Sequence, residues 1–427
     1  MTTTELVALV DGREVGRVHR DSRGQLRFVY DQSWREDIDN FPLSFSMPLT
    51  AAEHRHSRIE AYLWGLLPEN DLILERWAKQ FHVGRSAFAL LAHVGEDCAG
   101  AVQFAHPDDA SSRREGTGKD VRWLGEREVG ERLRELRRDG AAWRRLADSG
   151  QFSLAGAQPK TALLLRGRRW GIPSGRVPTT HILKPPLPEL AGHVENEHFC
   201  LELARSVGIP SARTSVERFD GEIAIVVERY DRQILTERQI LRVHQEDMCQ
   251  ALGVMPTRKY QSEGGPSPSV VVELLRDVSS KPSEDVWTFV AALGFSWLTG
   301  GTDAHAKNYS LLIGGRDRVR LAPLYDVASI LLYPEVSSSR RAKLAMKVGS
   351  KYLLEAIDRR QWISTARELR LNPEELIQRL RAMAEQLPDA CADVRSRAAK
   401  AGLDRAIVGR LSEAIARRAE TCRNALQ

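Results

Sequence analysis

Residues 301–315 read GTDAHAKNYSLLIGG. Asp303, His305, Lys307 and Asn308 fall within six positions, after a segment patterned as a helix and before an apolar run. Loops carry chemistry that helices and strands hold in place. A carboxylate such as Asp303 can take a proton from an attacking hydroxyl. A neutral amide such as Asn308 can offer a hard oxygen to Mg²⁺ without adding a second charge. Standing alone, the stretch also reads as a capped loop with surface charges.

The wider context decides between these. Asp303 and Asn308 have the Asp-to-Asn spacing of a kinase catalytic loop. After Asn308 come YSLLI, a turn GGRDR and a second run VRLAPLYD, the pattern of a β-hairpin. Such a hairpin returns Asp326 toward Asn308. A kinase returns the metal-binding Asp of its D-F-G element in the same way; here the local sequence is Y-D-V.

Upstream, further pieces occur in the order a kinase needs them. FSLAGAQPKTALLL places Gly156 among small residues, which lets backbone N–H groups approach an anion. Its single glycine fits neither a Walker A nor a G-x-G-x-x-G pattern, and an ordinary hairpin is the competing reading. Lys184 closes THILK and could aim an ammonium at phosphates, or simply mark an exposed strand end. Glu195 and Glu197 open the next helix, and either could pair with Lys184 or favour the helix dipole. IAIVVERYDR then leaves the β-rich part, with backbone groups near Glu228 and Tyr230 placed for adenine.

The elements that must hold these residues follow from periodicity. Leu6–Tyr30 reads as short strands broken at Asp11-Gly12 and Arg23-Gly24. Residues 59–81 and 86–91 read as helices, 106–120 as a linker, and 127–146 as an Arg-rich helix with a solvated face. Strands are expected at 152–165, 179–183 and 223–227, and a helix over 195–207 burying Phe199, Cys200, Leu203, Ala204 and Val207. Beyond Arg232 the pattern turns helical. Ser283 is expected to cap a helix that buries Val286, Phe289, Val290, Leu293 and Trp297 and stops at Gly300-Gly301. Asn372-Pro373 starts another with Leu376, Leu380 and Met383 inward, and 405–422 is the last. No fixed-period repeat occurs.

Composition bounds the class. The 427 residues, 42% hydrophobic and 28% charged, suit two or three globular domains. The +5 net charge is too small to argue for nucleic-acid binding unless clustered. The five cysteines are far apart and form no C-x-x-C pair. MTTTELVALVDG lacks a signal-peptide pattern, and no apolar run is long enough for a membrane span. A cytoplasmic enzyme or regulator with no membrane association is the expectation.

The segments together resemble the HipA family of toxin serine/threonine kinases: FSLAGAQPKTALL, TTHILKPP, ENEHFCLELARSVGIP, VVERYDR, HQEDMCQALG, KYQSEGGP, GTDAHAKN, LAPLYD and KLAMKVG, with PLSFSMPL and WGLLPEN nearer the start. The resemblance covers nearly the whole chain. It implies an α+β, two-lobed protein-kinase-like fold: an extra N-terminal subdomain (1–105), a β-rich N-lobe core (106–235) and an all-helical C-lobe (236–427). It implies ATP and Mg²⁺. By matching position, Asp303 would be the catalytic base, Asn308 and Asp326 the metal ligands, and Lys184 the phosphate lysine. Ala155, Gly156, Ala157, Gln158 and Lys160 would form the phosphate loop. Glu228, Arg229 and Tyr230 would form the hinge, with His305, Lys307 and Tyr325 at the nucleotide and Ser153 autophosphorylated. The implied substrate is an aminoacyl-tRNA synthetase, most often the glutamyl enzyme. The implied partner is a helix-turn-helix, HipB-like antitoxin, through which operator DNA is reached. Pro159 and Pro186 depart from the family pattern, and each removes a backbone donor. A small-molecule or lipid kinase, an inert kinase-like corepressor, and a metal hydrolase using Asp303 and His305 are the competing classes.

Overall fold

A computed structural model describes residues 4–110, 121–143, 152–174, 177–236, 239–316, 318–333, 335 and 341–427. The opening alternation folds into antiparallel strands Glu5–Val10, Arg13–Arg20 and Leu26–Tyr30. Asp11 and Gly12 take φ +48° and +79°, the paired positive values that a tight two-residue hairpin requires. Glu53–Arg55 and Val102–Ala105 complete a five-stranded sheet. Helices His56–Gly65, Asp71–Gln80 and Ala87–Val94 pack on it, bringing Ile59, Leu63 and Leu91 against Leu6, Ala8 and Phe28. The single helix expected over 59–81 is therefore two. Pro68 interrupts it, and the Asn70 side chain caps the second helix at the Leu72 N–H.

A six-stranded antiparallel sheet follows. Its order is Thr214–Phe219, Glu222–Glu228, His181–Lys184, Thr161–Arg166, Arg169–Pro173, Val121–Leu124. Helix Glu126–Arg138 covers one face, setting Val129 and Leu133 against Leu163, Leu183, Phe219 and Val226. It is shorter than the expected 127–146, whose residues 144–146 lie outside the described ones, as do 111–120 of the expected linker. Within that linker Pro107–Ala110 forms a helical turn. The strand expected over 152–165 begins only at Thr161. Ahead of it Gly156 takes φ +101° and Pro159 lacks an N–H, so residues 152–160 cannot run as a regular ladder. Instead they lie against the N-terminal subdomain through two isolated bridges, Asp97 with Phe152 and Pro68 with Gly156. Helix His193–Ser206 buries the expected apolar residues except Val207, which caps its C-terminal end and is half-buried.

The remainder is mainly helical: Pro268–Val278, Pro282–Thr299, Arg359–Glu368, Pro373–Lys400 and Arg405–Ala425. Phe289, Leu293, Leu380 and Leu411 share its core. Helix Pro282–Thr299 starts before Ser283, because Pro suits a first helical position whose N–H has no helical partner. Gly300, at φ +71°, ends it as expected. The all-helical expectation for this half is corrected. Strand Ser310–Gly314 lies between Arg318–Leu321 and His244–Asp247, and two further strand pairs occur, Arg232–Ile234 with Ile240–Arg242 and Lys343–Val348 with Lys351–Leu353. The third strand supplies partners for backbone groups that the isolated hairpin would leave bare.

The N-terminal subdomain docks on this half through buried polar contacts. Phe45 N–H donates to Glu246 Oε1 at 2.8 Å, Ser44 Oγ to Gln250 O at 3.2 Å, and Gln250 Nε2 to Tyr62 O at 3.0 Å. Burial pushes the Glu246 carboxyl up to about 8, against smaller opposing contributions from Ser44 and Phe45. A folded-state value above the unfolded one gives stability that is complete at low pH and lost as pH rises toward the folded value. Folding stability should therefore fall between about pH 5 and about pH 8, by an amount on the order of a few kcal/mol. Glu246→Gln keeps an acceptor for Phe45 and should remove that slope. Denaturant midpoints across this range check it; an unchanged slope in the variant refutes the assignment.

Candidate active site

A cavity of about 590 Å³ opens between the six-stranded sheet and the helical half, with the N-terminal subdomain closing one side. That is a size typical of small-molecule sites. Every site residue expected above lines it except Ser153, and of the two candidate glutamates Glu197 lines it and Glu195 does not.

Lys184 stands at the end of its strand, and the residue is 5% exposed. Nζ donates to Glu197 Oε1 at 2.7 Å and also bonds Asp326 Oδ1. Of the two candidate glutamates, Glu197 is thus the partner. Burial alone would make Lys184 easier to deprotonate, but Asp326 and Glu197 outweigh it and hold the ammonium charged. Burial likewise raises the Asp326 carboxyl, and Lys184 and Lys160 more than reverse this, keeping it well below the usual carboxylate range. Asp326 has φ +59°, a left-handed conformation that Asp tolerates better than most residues. Asn196 anchors the segment beyond it: its amide donates to Ser329 O at 2.8 Å and its oxygen accepts the Ser329 N–H at 2.9 Å.

The glycine-containing loop lies beside this pair. Lys160 Nζ donates to Ala155 O at 2.6 Å, and burial pushes its ammonium down to about 8. A Cβ at Gly156 would lie 2.6 Å from that ammonium, so only glycine lets Lys160 occupy this position. Gln158 Nε2 sits 3.4 Å from His193 Nδ1, on the first turn of the helix that carries Glu197.

On the helical side, the turn 303–308 is self-supporting. Asn308 Nδ2 donates to the Asp303 carbonyl at 2.8 Å, as does the His305 N–H at 2.8 Å. The Asp303 carboxylate accepts the Tyr260 hydroxyl at 2.6 Å. Burial and then this bond push the Tyr260 phenol up. His305 meets the Tyr260 ring edge-on at 5.0 Å, and burial lowers its pKa, favouring the neutral imidazole. Lys307 Nζ bonds Asp247 at 2.5 Å and lies 3.9 Å from Glu69, which also pairs with Lys259 at 2.6 Å. Tyr325 donates its hydroxyl to Lys307 O at 2.6 Å and tilts against Tyr230 at 5.7 Å.

Among the described residues no cluster of three or more His, Cys, Asp or Glu could hold a metal ion. Mg²⁺ needs no such cluster, since it takes one or two carboxylates with water and phosphate oxygens. An ionised Asp326 and the Asn308 amide fit that donor set. Lys184, Lys160 and the Gly156 cradle fit a polyphosphate.

Residues 6–105 match the HipA N-terminal domain and residues 152–391 the HipA-like C-terminal domain. The chain belongs to the HipA family. Y4mE of Sinorhizobium fredii, described provisionally as a kinase, is 35% identical over 430 residues, 99% of each chain. The serine/threonine-protein kinase toxin HipA of Shewanella oneidensis is 29% identical over 387 residues, 86% of this chain and 83% of that one. The solved structure of Shewanella oneidensis HipA with HipB and its operator DNA superposes with a TM-score of 0.85 at 26% identity, covering 99% of this chain and 98% of that one. The mixed α+β fold is shared with that structure.

In this HipA-family protein, two of the lining residues have side chains already engaged within the chain. The Arg229 guanidinium binds Asp231 at 2.8 Å, Thr179 at 2.9 Å and the Cys98 carbonyl at 2.8 Å. The Lys307 ammonium is likewise held by Asp247. The Glu228 N–H donates to Arg213 O and the Arg229 N–H to Thr180 O, both at 2.9 Å. Sequence reasoning assigned no role to Tyr260, Glu69, Lys259 or Asp247. The stretches WGLLPEN and KYQSEGGP held the signal, but Glu69 and Lys259 are 190 positions apart and only the fold joins them.

Lys184→Met should leave Glu197 and Asp326 facing each other without a cation, at a cost of about 3–5 kcal/mol. Adding Glu197→Gln should recover part of it. Chemical unfolding of both variants checks this; strictly additive losses would show that the residues do not act as a unit.

Proposed function

We propose that this HipA-family protein is an ATP-dependent serine/threonine protein kinase, acting as the toxin of a toxin–antitoxin system. The observation that carries the reading is that Lys184, Glu197 and Asp326 share one cavity with Asp303 and Asn308. We read the two halves as kinase-like lobes, with boundaries near 105 and 235.

Bound ATP would supply the transferable phosphoryl group, with Mg²⁺ neutralising its charge. Lys184, oriented by Glu197, would hold phosphate oxygens, and Lys160 would do so from the loop above. Asn308 and Asp326 would hold the metal. Asp303, steadied by Tyr260 and by its own turn, would orient the acceptor hydroxyl and take its proton. Most of the rate would come from positioning and fixed charge. An intact set of these groups disfavours an inert corepressor.

The acceptor we infer is an aminoacyl-tRNA synthetase, the glutamyl enzyme first, whose modification would arrest translation in the cytoplasm. This rests on the family resemblance. The HipB and operator DNA bound to the Shewanella oneidensis relative support a HipB-like antitoxin as partner, with DNA reached through it. Among the described residues no helix is long and apolar enough to cross a membrane.

Labelled ATP, Mg²⁺ and a panel of synthetases, sugars, aminoglycosides and inositol lipids test the substrate class. Asp303→Gln should fold and lose on the order of 10²-fold or more in transfer rate; transfer at the parent rate would remove the base assignment.

Ser153 is fully buried, its Oγ donating to Leu66 O at 2.7 Å. A phosphoryl group there would add about −1.5 to −2 charges with no room to hydrate them. We infer that autophosphorylation at Ser153 displaces the loop and inactivates the enzyme. ATP affinity should therefore be weaker in phosphorylated protein, and equal affinity in the two forms excludes this switch.

A further inference from the structure

Asp97 lies in the turn between helix Ala87–Val94 and strand Val102–Ala105, outside the cavity lining. Its carboxylate and its carbonyl reach two different walls of the site. Oδ2 accepts the Thr179 N–H at 2.9 Å, the Thr179 hydroxyl at 2.6 Å and Arg229 Nη1 at 3.4 Å. Oδ1 accepts Arg232 Nη2 at 2.8 Å and Arg242 Nε at 3.4 Å. Asp231 closes the network, binding Arg229 and Arg232 at 2.8 Å each and accepting the Gly100 N–H at 2.8 Å. This cluster immobilises the chain that follows Glu228. Meanwhile the Asp97 carbonyl accepts the Ser153 N–H at 3.0 Å, where Phe152 pairs with Asp97 in parallel. The phosphate loop begins there.

We propose that Asp97 is a positioning residue that couples the phosphate loop to the hinge and presets the distance between them. The N-terminal subdomain thereby preorganises the nucleotide site through a residue that lies outside the cavity lining. Two carboxylates and three guanidiniums, almost wholly withdrawn from water, can hold only one arrangement without stranding a charge. A shift of Asp97 must therefore move both walls together. The inference rests on the nucleotide reading of the cavity, and the experiment separates the two.

The full-length chain carrying Asp97→Asn is compared with Thr179→Val, which removes one hydroxyl from the cluster and little volume. Leu411→Ala, in the distant helical core, serves as the control for general destabilisation. Hydrogen exchange without nucleotide is followed in residues 152–160 and 228–232, and binding of a fluorescent ATP analogue is titrated. Both cluster variants should speed exchange in both segments and weaken analogue binding by at least about tenfold, the scale of one hydrogen bond to a charged group. In turnover, KM for ATP should rise more than kcat falls, and Leu411→Ala should do neither. Where Asp97→Asn does not fold, Thr179→Val carries the test. Parent-like exchange in the loop, or loosening of the hinge alone, overturns the coupling. Failure of the parent protein to bind the analogue would sink the nucleotide reading, while the exchange data would still decide whether Asp97 joins the two segments.

Discussion

The site depends on a single buried ammonium shared between two carboxylates. Lys184 comes from the sheet, Glu197 from the helix behind it, and Asp326 from the far half of the chain. In a low-dielectric setting none of the three charges is tolerable alone, so each fixes the other two. The pairing stitches the halves together at the point where an anion would enter. It also keeps Asp326 ionised.

The second constraint comes from the N-terminal subdomain. Its helices and sheet form their own core, yet two of its turns reach the cavity's edge. Leu66 and Glu69 receive Ser153 and the Gly156 region, and Asp97 receives the start of that loop together with the hinge cluster. A loop with one glycine lacks the backbone freedom of a glycine-rich phosphate loop. Here the loop is instead strapped to a rigid neighbour, and the same strapping buries Ser153.

The 303–308 turn is arranged differently. Asp303, His305 and Asn308 bond within their own six residues, and Tyr260 supplies the outside support for the carboxylate. Beneath them Asp247, Lys307, Glu69 and Lys259 alternate in sign. Some groups that read in sequence as candidate ligands thus also brace the cavity they line. Lys307 and Arg229 do both.

Local features were legible from residue order alone, because their causes are local. The Asp11-Gly12 hairpin, the Gly300 helix stop, the Asn372 cap, the Ser310–Leu321 hairpin and the spacing of Asp303 and Asn308 each depend on a few adjacent residues. The Asp220-Gly221 turn carried the same hairpin signal, with φ +48° and +82°, and went unread. Partner choice was not legible. Glu197 over Glu195 depends on which helix face meets Lys184, and the inward turn of Arg229 depends on Asp97, 132 positions away. The fate of residues 152–160 likewise depended on a neighbour distant in sequence. Residue type and spacing determine which chemistry is available. Which charge meets which is decided by burial, since only the packed chain removes the water that would otherwise leave every one of these ions indifferent to its neighbours.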